Sequence, residues 1–442
     1  MRTARSEIIA RNLAAALLAG VWSPEAMARR IGTVLGRSTR KSQKRLVEEV
    51  CDRIDAPNPP SLAALKEIVA SAPSFERAAR PLLRSSAPLR MNLRSPRFAP
   101  LESIAGLNLP KLATPGDIAH WLGLPIEHLD WFTDERRLHG STEIPVLQHY
   151  TYAFRAKSHG PPRLIEAPKP RLKTMQRRIL SCILDQVPAH DAAHGFVSGR
   201  SCRSGAELHV GAEIVVCLDI ADFFLTTPLG RVHALFRCLG FPYAAARVMT
   251  RLCSTVTPET VFDRLPSGAK HSRTALQAYC EPHLPQGAPT SPALANLVAW
   301  RLDVRLSGLA RTYGARYSRY ADDLTFSGDA TFGAKANSLI EAVTVILEDE
   351  GYTANERKTQ IMAPSRRQQV TGIVVNAHLN VARDSYDVLK ATLHNCIRNG
   401  FDAENRSGHP DFRAHLEGRV GWVESVNPVR GRRLRSMLEK IL

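Results

Sequence analysis

Cysteine pairs and long apolar runs are the features that this sequence lacks. Its eight cysteines form no Cys-x-x-Cys motif and lie far from paired histidines, so they predict neither a zinc site nor a disulfide framework. Reduced thiols of this kind fit a cytoplasmic protein. An apolar run at 13–22 is too short to span a membrane and lacks a convincing signal-peptide cleavage site. We therefore expect an amphipathic helix there and no membrane segment.

Acidic residues are scarce relative to basic ones. The 442 residues include 59 Lys and Arg but 42 Asp and Glu, which gives a net charge of +17. Residues 1–100 carry 18 basic and 8 acidic side chains, and so hold +10 of that charge. Such an excess favours a polyanionic partner, because basic side chains bind phosphates and release their counterions. The apolar fraction of 44% is typical of a globular protein.

Residues 1–85 predict a basic α-helical extension. Ser23 is a suitable N-cap, and Pro24 suits the first helical position that follows it. The helices here either form a helix-turn-helix that reads DNA or simply pack on one another, and the sequence leaves both open. Residues 86–112 are rich in proline, arginine and serine, and this composition predicts a linker.

Two later segments each place aspartate at the end of a predicted β-strand. Residues 213–219, EIVVCLD, are a nearly continuous apolar run that predicts a buried strand ending at Asp219. Residues 319–328, RYADDLTFSG, predict a β-hairpin with Asp322 and Asp323 at its tip. Adjacent carboxylates repel one another. The pair is therefore either an exposed turn, where aspartate is common, or a site for divalent cations.

The two segments together favour the cation site. If their strands are neighbours in one sheet, Asp219 and Asp322 converge although 103 positions separate them. Phosphoryl transfer needs such an arrangement, because two magnesium ions about 4 Å apart lower the pKa of an attacking hydroxyl and stabilise the leaving pyrophosphate. Two unrelated turn aspartates would explain either segment alone but explain both poorly.

A loop between the two segments completes a set of three motifs. Residues 284–300, LPQGAPTSPALANLVAW, begin with glycine and proline and run into a predicted helix. Gly287 allows a close backbone approach to a base pair or a nucleotide sugar, unless the loop only caps its helix. In order and spacing, the Asp219 strand, this loop and the YADD hairpin resemble the palm motifs of reverse transcriptases.

The resemblance covers about residues 114–442 and implies an α+β fold of the right-hand polymerase type, with a palm antiparallel sheet packed on helices. The implied activity is RNA-directed DNA polymerisation, a nucleotidyltransferase reaction with two Mg²⁺ ions as cofactors. The implied domains are an N-terminal α-helical extension 1–85, a linker 86–112, fingers 113–212, a palm 213–376 and a helical thumb with RNA recognition 377–442.

Several catalytic residues follow from the same resemblance. Lys358 would be a general acid near the pyrophosphate, unless it is only a solvated lysine. Asp322 would bind both ions and Asp323 would have a supporting role, so we expect Asp323→Asn to keep weak activity. The implied catalytic residues are Asp219, Asp322, Asp323 and Lys358, and the implied metal ligands are Asp219, Ile220, Asp322 and Asp323.

The nucleotide site would draw on the fingers and the palm. A basic residue within 155–180 would grip the triphosphate, and Arg163 fits this role better than Lys157. Phe224 would stack under the sugar and block a 2′-hydroxyl, whereas strand alternation would send one of Phe223 and Phe224 into the core. The implied dNTP-binding residues are Lys157, Arg163, Phe224, Gln286 and Gly287.

Two further segments resemble the retron reverse transcriptases. Residues 195–211 resemble their region between fingers and palm, where Ala206 and His209 match an Asn-Ala-x-x-His pattern and Gly205 replaces the asparagine. Residues 370–372, Val-Thr-Gly, match an element linked to recognition of the cognate RNA. A basic tract near residue 430 would face nucleic acid, unless it is a solvated surface. The implied RNA-binding residues are His209, Val370, Thr371, Gly372, Arg430, Arg432 and Arg433, with Arg435 beside them.

A retron enzyme would use a cognate non-coding RNA (msr-msd) as both primer and template. A 2′-hydroxyl of an internal guanosine would start synthesis, and the product would be a branched RNA–DNA hybrid, msDNA. The implied partners are this RNA and its RNA–DNA product, dNTPs, a host RNase H that removes the template, and an effector protein in antiviral defence. The alternatives are a group II intron-like or other prokaryotic defence reverse transcriptase and, further away, a catalytically inactive RNA-binding protein.

Overall fold

The structure, a computed structural model, divides into two units by its internal contacts. The first comprises Met1–Pro188 and Thr227–Leu294, and the second comprises Ala189–Thr226 and Ala295–Leu442. This division does not test the predicted functional boundaries after residues 85, 112, 212 and 376, which stay predictions. The described residues are 4–19, 23–36, 41–54, 60–85, 89, 96–134, 145–156, 161–265, 273–406 and 408–441.

The first unit is mainly helical, with one antiparallel two-stranded hairpin. Among its described residues, each helix is either too short or too polar to cross a lipid bilayer. Its elements are α1 (Ala4–Leu18), α2 (Pro24–Val34), α3 (Lys41–Cys51), α4 (Leu62–Ser71), α5 (Phe75–Arg84), α6 (Pro115–Leu122), α7 (Ile126–Thr133), β1 (Tyr150–Arg155), β2 (Arg163–Pro168), α8 (Pro170–Cys182), α11 (Leu229–Cys238), α12 (Tyr243–Leu252) and α13 (Arg273–Cys280).

Local capping and a shared apolar core explain the N-terminal helices. The Ser23 hydroxyl accepts a hydrogen bond from the backbone N–H of Ala26, so the predicted start of α2 is confirmed. Ile9, Leu13 and Leu17 recur at helical spacing on α1 and are fully buried in a core that α2 to α5 share. The predicted helical extension is therefore present in the described part of residues 1–85.

Part of the predicted linker is anchored to the first unit. The N–H of Ala99 donates to the carbonyl of Gly240 at 2.9 Å, and the N–H of Leu101 donates to the carbonyl of Cys238 at 3.1 Å. Leu109 and Leu112 are buried. This portion of the linker therefore has a defined path along the end of α11, which its proline-rich and arginine-rich composition did not predict.

The second unit combines helices with a two-stranded hairpin and a four-stranded antiparallel sheet, whose strands lie in the order β4 (Arg316–Tyr320), β5 (Asp323–Gly328), β3 (Ile214–Asp219) and β6 (Gln360–Met362). The α+β class is therefore confirmed. Helix α14 (Ser291–Val298) crosses the division between the units. The other elements are α9 (Cys202–Glu207), α10 (Phe223–Thr226), α15 (Trp300–Thr312), α16 (Ala330–Ala334), α17 (Ala336–Asp349), β7 (Gln369–Val370), β8 (Ile373–Val374), α18 (Arg383–Glu404), α19 (Phe412–Val426) and α20 (Pro428–Leu438).

A fully buried arginine supports the hairpin turn between β4 and β5. The Arg319 guanidinium pairs with the Asp303 carboxylate, with Nη2–Oδ2 and Nε–Oδ1 distances of 2.6 and 2.8 Å. Its Nη1 also donates to Asn296 Oδ1 at 2.8 Å and to the carbonyl of Ala321 at 3.0 Å. Ala321 has a φ of 55°, which costs a non-glycine residue about 1–2 kcal/mol. The hydrogen bond from Arg319 helps to hold this unfavourable turn in place.

A buried histidine links the two strands of that hairpin. His209 Nδ1 lies 2.7 Å from Ser327 Oγ on β5, and its Nε2 lies 2.8 Å from Ser318 Oγ on β4. Burial, followed by the charges of Arg316 and His194, lowers the pKa of His209 to about 3. The imidazole is fully buried and therefore neutral. The prediction that His209 contacts RNA is wrong, because its side chain does not reach the surface.

We expect the Asp303→Ala variant to be strongly destabilised, because it leaves the Arg319 guanidinium buried without its carboxylate. The free energy of unfolding, measured by urea denaturation, should fall by about 3–5 kcal/mol. Asp387→Ala is the control: it removes an exposed pair with Arg383 at 3.5 Å and should change stability by less than about 0.5 kcal/mol. Equal effects of the two variants would contradict the role assigned to Arg319.

We also expect acid to destabilise the protein through His209. Between pH 6.5 and about 3 the unfolded chain binds a proton at this histidine and the folded chain does not. Stability therefore falls as the pH falls below about 6.5, by at most about 1.4 kcal/mol per pH unit from this group.

Urea denaturation at pH 7.5 and pH 5 measures this effect. His209→Gln should show a smaller loss of stability between the two pH values than the original protein, while the same change at the exposed His378 should leave the loss unaltered. An unaltered loss in His209→Gln would rule out this source of acid sensitivity.

Candidate functional site

The sheet brings the predicted carboxylates together at one end of β3. Asp219, the last residue of β3, is paired with Asp323, the first residue of β5. The N–H of Ile220 donates to the carbonyl of Asp322 at 2.9 Å. The prediction that the Asp219 strand and the YADD hairpin are neighbours in one sheet is therefore confirmed.

Two side chains from the loop before β6 hold the Asp219 carboxylate. Asn355 Nδ2 donates to Oδ1 at 3.0 Å, and Lys358 Nζ donates to Oδ2 at 2.6 Å. The N–H of Asn355 also donates to the carbonyl of Asp219 at 2.8 Å. Sequence reasoning identified Lys358 but missed Asn355, whose only signal was its place three residues before that lysine.

The carboxylates raise the pKa of the groups around them. Loss of water around its carboxyl group, together with the negative charges of Asp322 and Asp219, raises the pKa of Asp323 to about 6. Burial lowers the pKa of Lys358, but its hydrogen bond to Asp219 and the charges of the three aspartates outweigh burial and raise it. The site therefore concentrates negative charge and attracts a cation.

The donor atoms fit a divalent cation. Carboxylate oxygens are the ligands that hard cations prefer, and a bound cation would relieve the repulsion between Asp219, Asp322 and Asp323. Within the described ranges, no three His, Cys, Asp or Glu side chains form a preassembled metal cluster. The side chain of Ile220 is buried, so only its carbonyl oxygen could act as a ligand.

The two phenylalanines after Asp219 have different environments. Phe223 is buried, and its ring centroid lies 5.6 Å from the ring centroid of Tyr352. Phe224 is half-buried, and its ring centroid lies 6.3 Å from the ring centroid of Phe196. The prediction that one of the pair belongs to the core is confirmed. Its stated reason was wrong, because the two residues begin the short helix α10 instead of continuing a strand.

The other predicted nucleotide-binding residues lie in the first unit. Arg163 is exposed at the end of the β1–β2 hairpin where the connecting loop joins the strands, opposite Arg155. Gly287 has a φ of +141°, and a Cβ there would lie 2.9 Å from the carbonyl oxygen of Glu166. The backbone at Gly287 therefore passes close to the backbone of β2. Beside it, the N–H of Glu166 donates a hydrogen bond to the carbonyl of Gln286 at 2.9 Å.

Lys157 lies outside the described residues. The contacts predicted between nucleotide and Arg163, Gln286 or Gly287 stay predictions.

The Val-Thr-Gly element forms the turn of the β7–β8 hairpin. Thr371 has a φ of 47° and Gly372 a φ of 85°, and the Thr371 hydroxyl donates to the carbonyl of Cys202 at 3.3 Å. Val370 is almost fully buried in the core around α18 to α20. The prediction that the Val370 side chain contacts RNA is therefore wrong, whereas Thr371 and Gly372 keep surface at the turn.

The basic tract on α20 is divided between surface and internal contacts. Arg432 and Arg433 are exposed. Arg430 lies over the Tyr386 ring, with its guanidinium carbon 4.8 Å from the ring centroid, and Arg435 donates to Glu424 at 3.0 Å. The face available to a nucleic acid is therefore narrower than the sequence alone suggested.

Comparisons with known proteins bear on the family of this chain. Residues 155–376 match the family model described as reverse transcriptase (RNA-dependent DNA polymerase). The retron Mx65 reverse transcriptase of Myxococcus xanthus is 38% identical over 79% of this chain and 77% of its own length. The retron Mx162 reverse transcriptase of the same organism is 34% identical over 75% of this chain and 68% of its own length. The retron Ec86 reverse transcriptase of Escherichia coli is 29% identical over 72% of this chain and 91% of its own length.

These matches include both aspartate segments and the loop between them, because the family model spans residues 155–376. Members of the family have the right-hand polymerase fold and use divalent metal ions. The chain therefore belongs to the retron-type reverse transcriptases and is an RNA-directed DNA polymerase.

Proposed function

We propose that this enzyme copies a cognate structured non-coding RNA into DNA, and that the 2′-hydroxyl of a guanosine in the same RNA is the primer. The observation that carries the proposal is the pairing of Asp219 with the turn that holds Asp322, in a chain similar to named retron reverse transcriptases. The product would be msDNA, a branched RNA–DNA hybrid, and its biological setting antiviral defence.

Each polar group of the site has a separate role in this reaction. Asp219 and Asp322 would hold two Mg²⁺ ions, with Asp323 and the carbonyl of Ile220 in support. Bound Mg²⁺ would supply activation of the primer hydroxyl and stabilisation of the leaving pyrophosphate. Asn355 orients the Asp219 carboxylate through its 3.0 Å hydrogen bond. Lys358, whose raised pKa keeps it protonated, donates a proton to the pyrophosphate.

The nucleotide pocket selects a deoxynucleotide. The half-buried Phe224 lies five residues after Asp219 and blocks a 2′-hydroxyl. Arg163 contacts the triphosphate as a cationic clamp, with Lys157 as a second candidate, and Gln286 and Gly287 contact the nucleotide from their loop.

The RNA contacts lie on the remaining exposed basic and turn residues. Thr371 and Gly372 at the β7–β8 turn and the exposed Arg432 and Arg433 face the RNA, with Arg430 beside them. Functionally, residues 113–212 act as fingers, 213–376 as palm and 377–442 as thumb. The basic extension 1–85 and linker 86–112 bind the RNA–DNA product or an effector protein, and a host RNase H removes the template.

We expect Asp219→Ala and Asp322→Ala each to lower DNA synthesis by about 10²- to 10³-fold, because each removes a ligand for the charge-stabilising ions. Incorporation of labelled dTTP on poly(rA)–oligo(dT) measures this. Asp323→Asn should keep weak activity, and Asp387→Asn, which alters an exposed carboxylate on α18, should keep full activity. Urea denaturation checks that the variants remain folded. Full activity of either alanine variant would contradict the proposed site.

We expect cells that express the enzyme with its neighbouring RNA-coding DNA to contain branched RNA–DNA. Extracted DNA should carry a 2′-linked guanosine that a debranching enzyme releases, and cells with Asp322→Ala should contain none. DNA that starts instead from an RNA or DNA 3′ end would exclude the guanosine priming and favour a group II intron-like or other defence enzyme.

A further inference from the structure

Phe196 combines an unfavourable backbone conformation with an exposed ring. Its φ is 58°, in the left-handed region that costs an L-residue about 1–2 kcal/mol. Its side chain is large and apolar, yet the residue is 55% exposed, so burial of the ring recovers little of that cost. Stability of the fold does not explain a phenylalanine at this position. Strained residues of this kind cluster at functional sites, where the surrounding structure holds them in place.

The surroundings of Phe196 connect it to the turn that carries Asp322. A Cβ on the preceding Gly195 would lie 2.7 Å from the backbone nitrogen of Ala321, so only glycine lets the chain pass this close. The carbonyl of Gly195 accepts a 2.7 Å hydrogen bond from the buried Asn296 Nδ2. Asn296 in turn accepts from Arg319, which also donates to Ala321. One buried network therefore fixes both the aspartate turn and the peptide before Phe196.

The Phe196 ring belongs to an aromatic surface beside the carboxylates. Its centroid lies 6.3 Å from that of Phe224 and 6.2 Å from that of Tyr320. Phe224 follows Asp219 by five residues, and Tyr320 precedes Asp322 by two. Aromatic faces of this kind bind the sugars and bases of nucleotides, because both present apolar surface for stacking.

We propose that Phe196 is a specificity-determining residue that contacts the sugar of the incoming deoxynucleotide and, beside Phe224, forms a second wall of its pocket. The inference rests on the proposed function of the site. Of the two rings, Phe196 is the more exposed, and so it has more surface for a ligand to cover. Without this ring the pocket is wider, binds a deoxynucleotide less tightly and admits a 2′-hydroxyl more readily.

The Phe196→Gly variant separates this role from a structural one. Glycine adopts a φ of 58° without the steric cost, so the thermal midpoint should stay the same or rise. On poly(rA)–oligo(dT), the KM for dTTP should rise ~5- to 150-fold, the range expected for loss of stacking on one aromatic ring. The preference for dTTP over UTP should fall at least about fivefold, with kcat within about threefold of the original value. Phe196→Tyr should keep the original KM and preference.

Asp134→Gly is the matched control. Asp134 also has a left-handed φ, of 42°, but it lies at the end of α7 in the first unit. Its replacement relieves the same kind of strain and should leave the KM for dTTP and the dTTP preference unchanged. A fall in kcat or thermal midpoint of Phe196→Gly, with KM and preference unchanged, would show a structural role and overturn the proposal.

A double variant tests whether Phe196 contacts the substrate itself. If it does, Phe196→Gly should still raise the KM for dTTP when Phe224 is already alanine. No further effect in that background would mean that Phe196 only positions Phe224, which overturns the proposed contact. If the original protein makes no DNA at all, the proposed function fails; if it makes DNA and Phe196→Gly matches it in KM and preference, only this inference fails.

Discussion

The buried pair of Arg319 and Asp303 is the interaction on which the catalytic hairpin depends. The guanidinium is fully buried, and its hydrogen bonds reach Asp303, Asn296 and the strained carbonyl of Ala321. A buried charge is tolerated only with such partners, because removal from water costs several kcal/mol per ion. The same network fixes the position of Asp322 and the path of the chain before Phe196, so a core interaction sets the geometry of the surface site.

The site itself is organised by repulsion between like charges. Loss of water around its carboxyl group, together with the charges of Asp322 and Asp219, raises the pKa of Asp323 to about 6. Asn355 and Lys358 hold Asp219, the most buried of the three carboxylates. A protein that only needed a stable hairpin would gain nothing from this arrangement. A polymerase gains a place that attracts divalent cations, which the enzymes of this family use.

Predictions from local patterns succeeded where the residues of one short segment determine the structure of that segment. The Ser23 cap, the apolar strand before Asp219 and the hairpin around Asp322 are each determined within about ten residues. Predictions of RNA contact were wrong where packing between distant segments buries the side chain. His209 and Val370 match motif positions that suggested RNA contact, yet the first bonds two serines across a hairpin and the second lies in the core around α18. Motif matching identifies a residue type but does not reveal which way its side chain points.

By itself, the sequence determined the family and the α+β class and predicted the convergence of Asp219 with Asp322, because strand patterns and motif order can be recognised without coordinates. Only the tertiary structure revealed the contacts of Asn355, Arg319 and Phe196. Asn355 lies 136 positions from its partner Asp219, Arg319 lies 16 from Asp303, and Phe196 lies 124 from Tyr320. The geometry of hydrogen bonds and ring contacts depends on angstrom-scale distances, which sequence spacing does not specify. Burial and charge are properties of the assembled fold, and at this site they determine which side chains are free to meet a nucleotide.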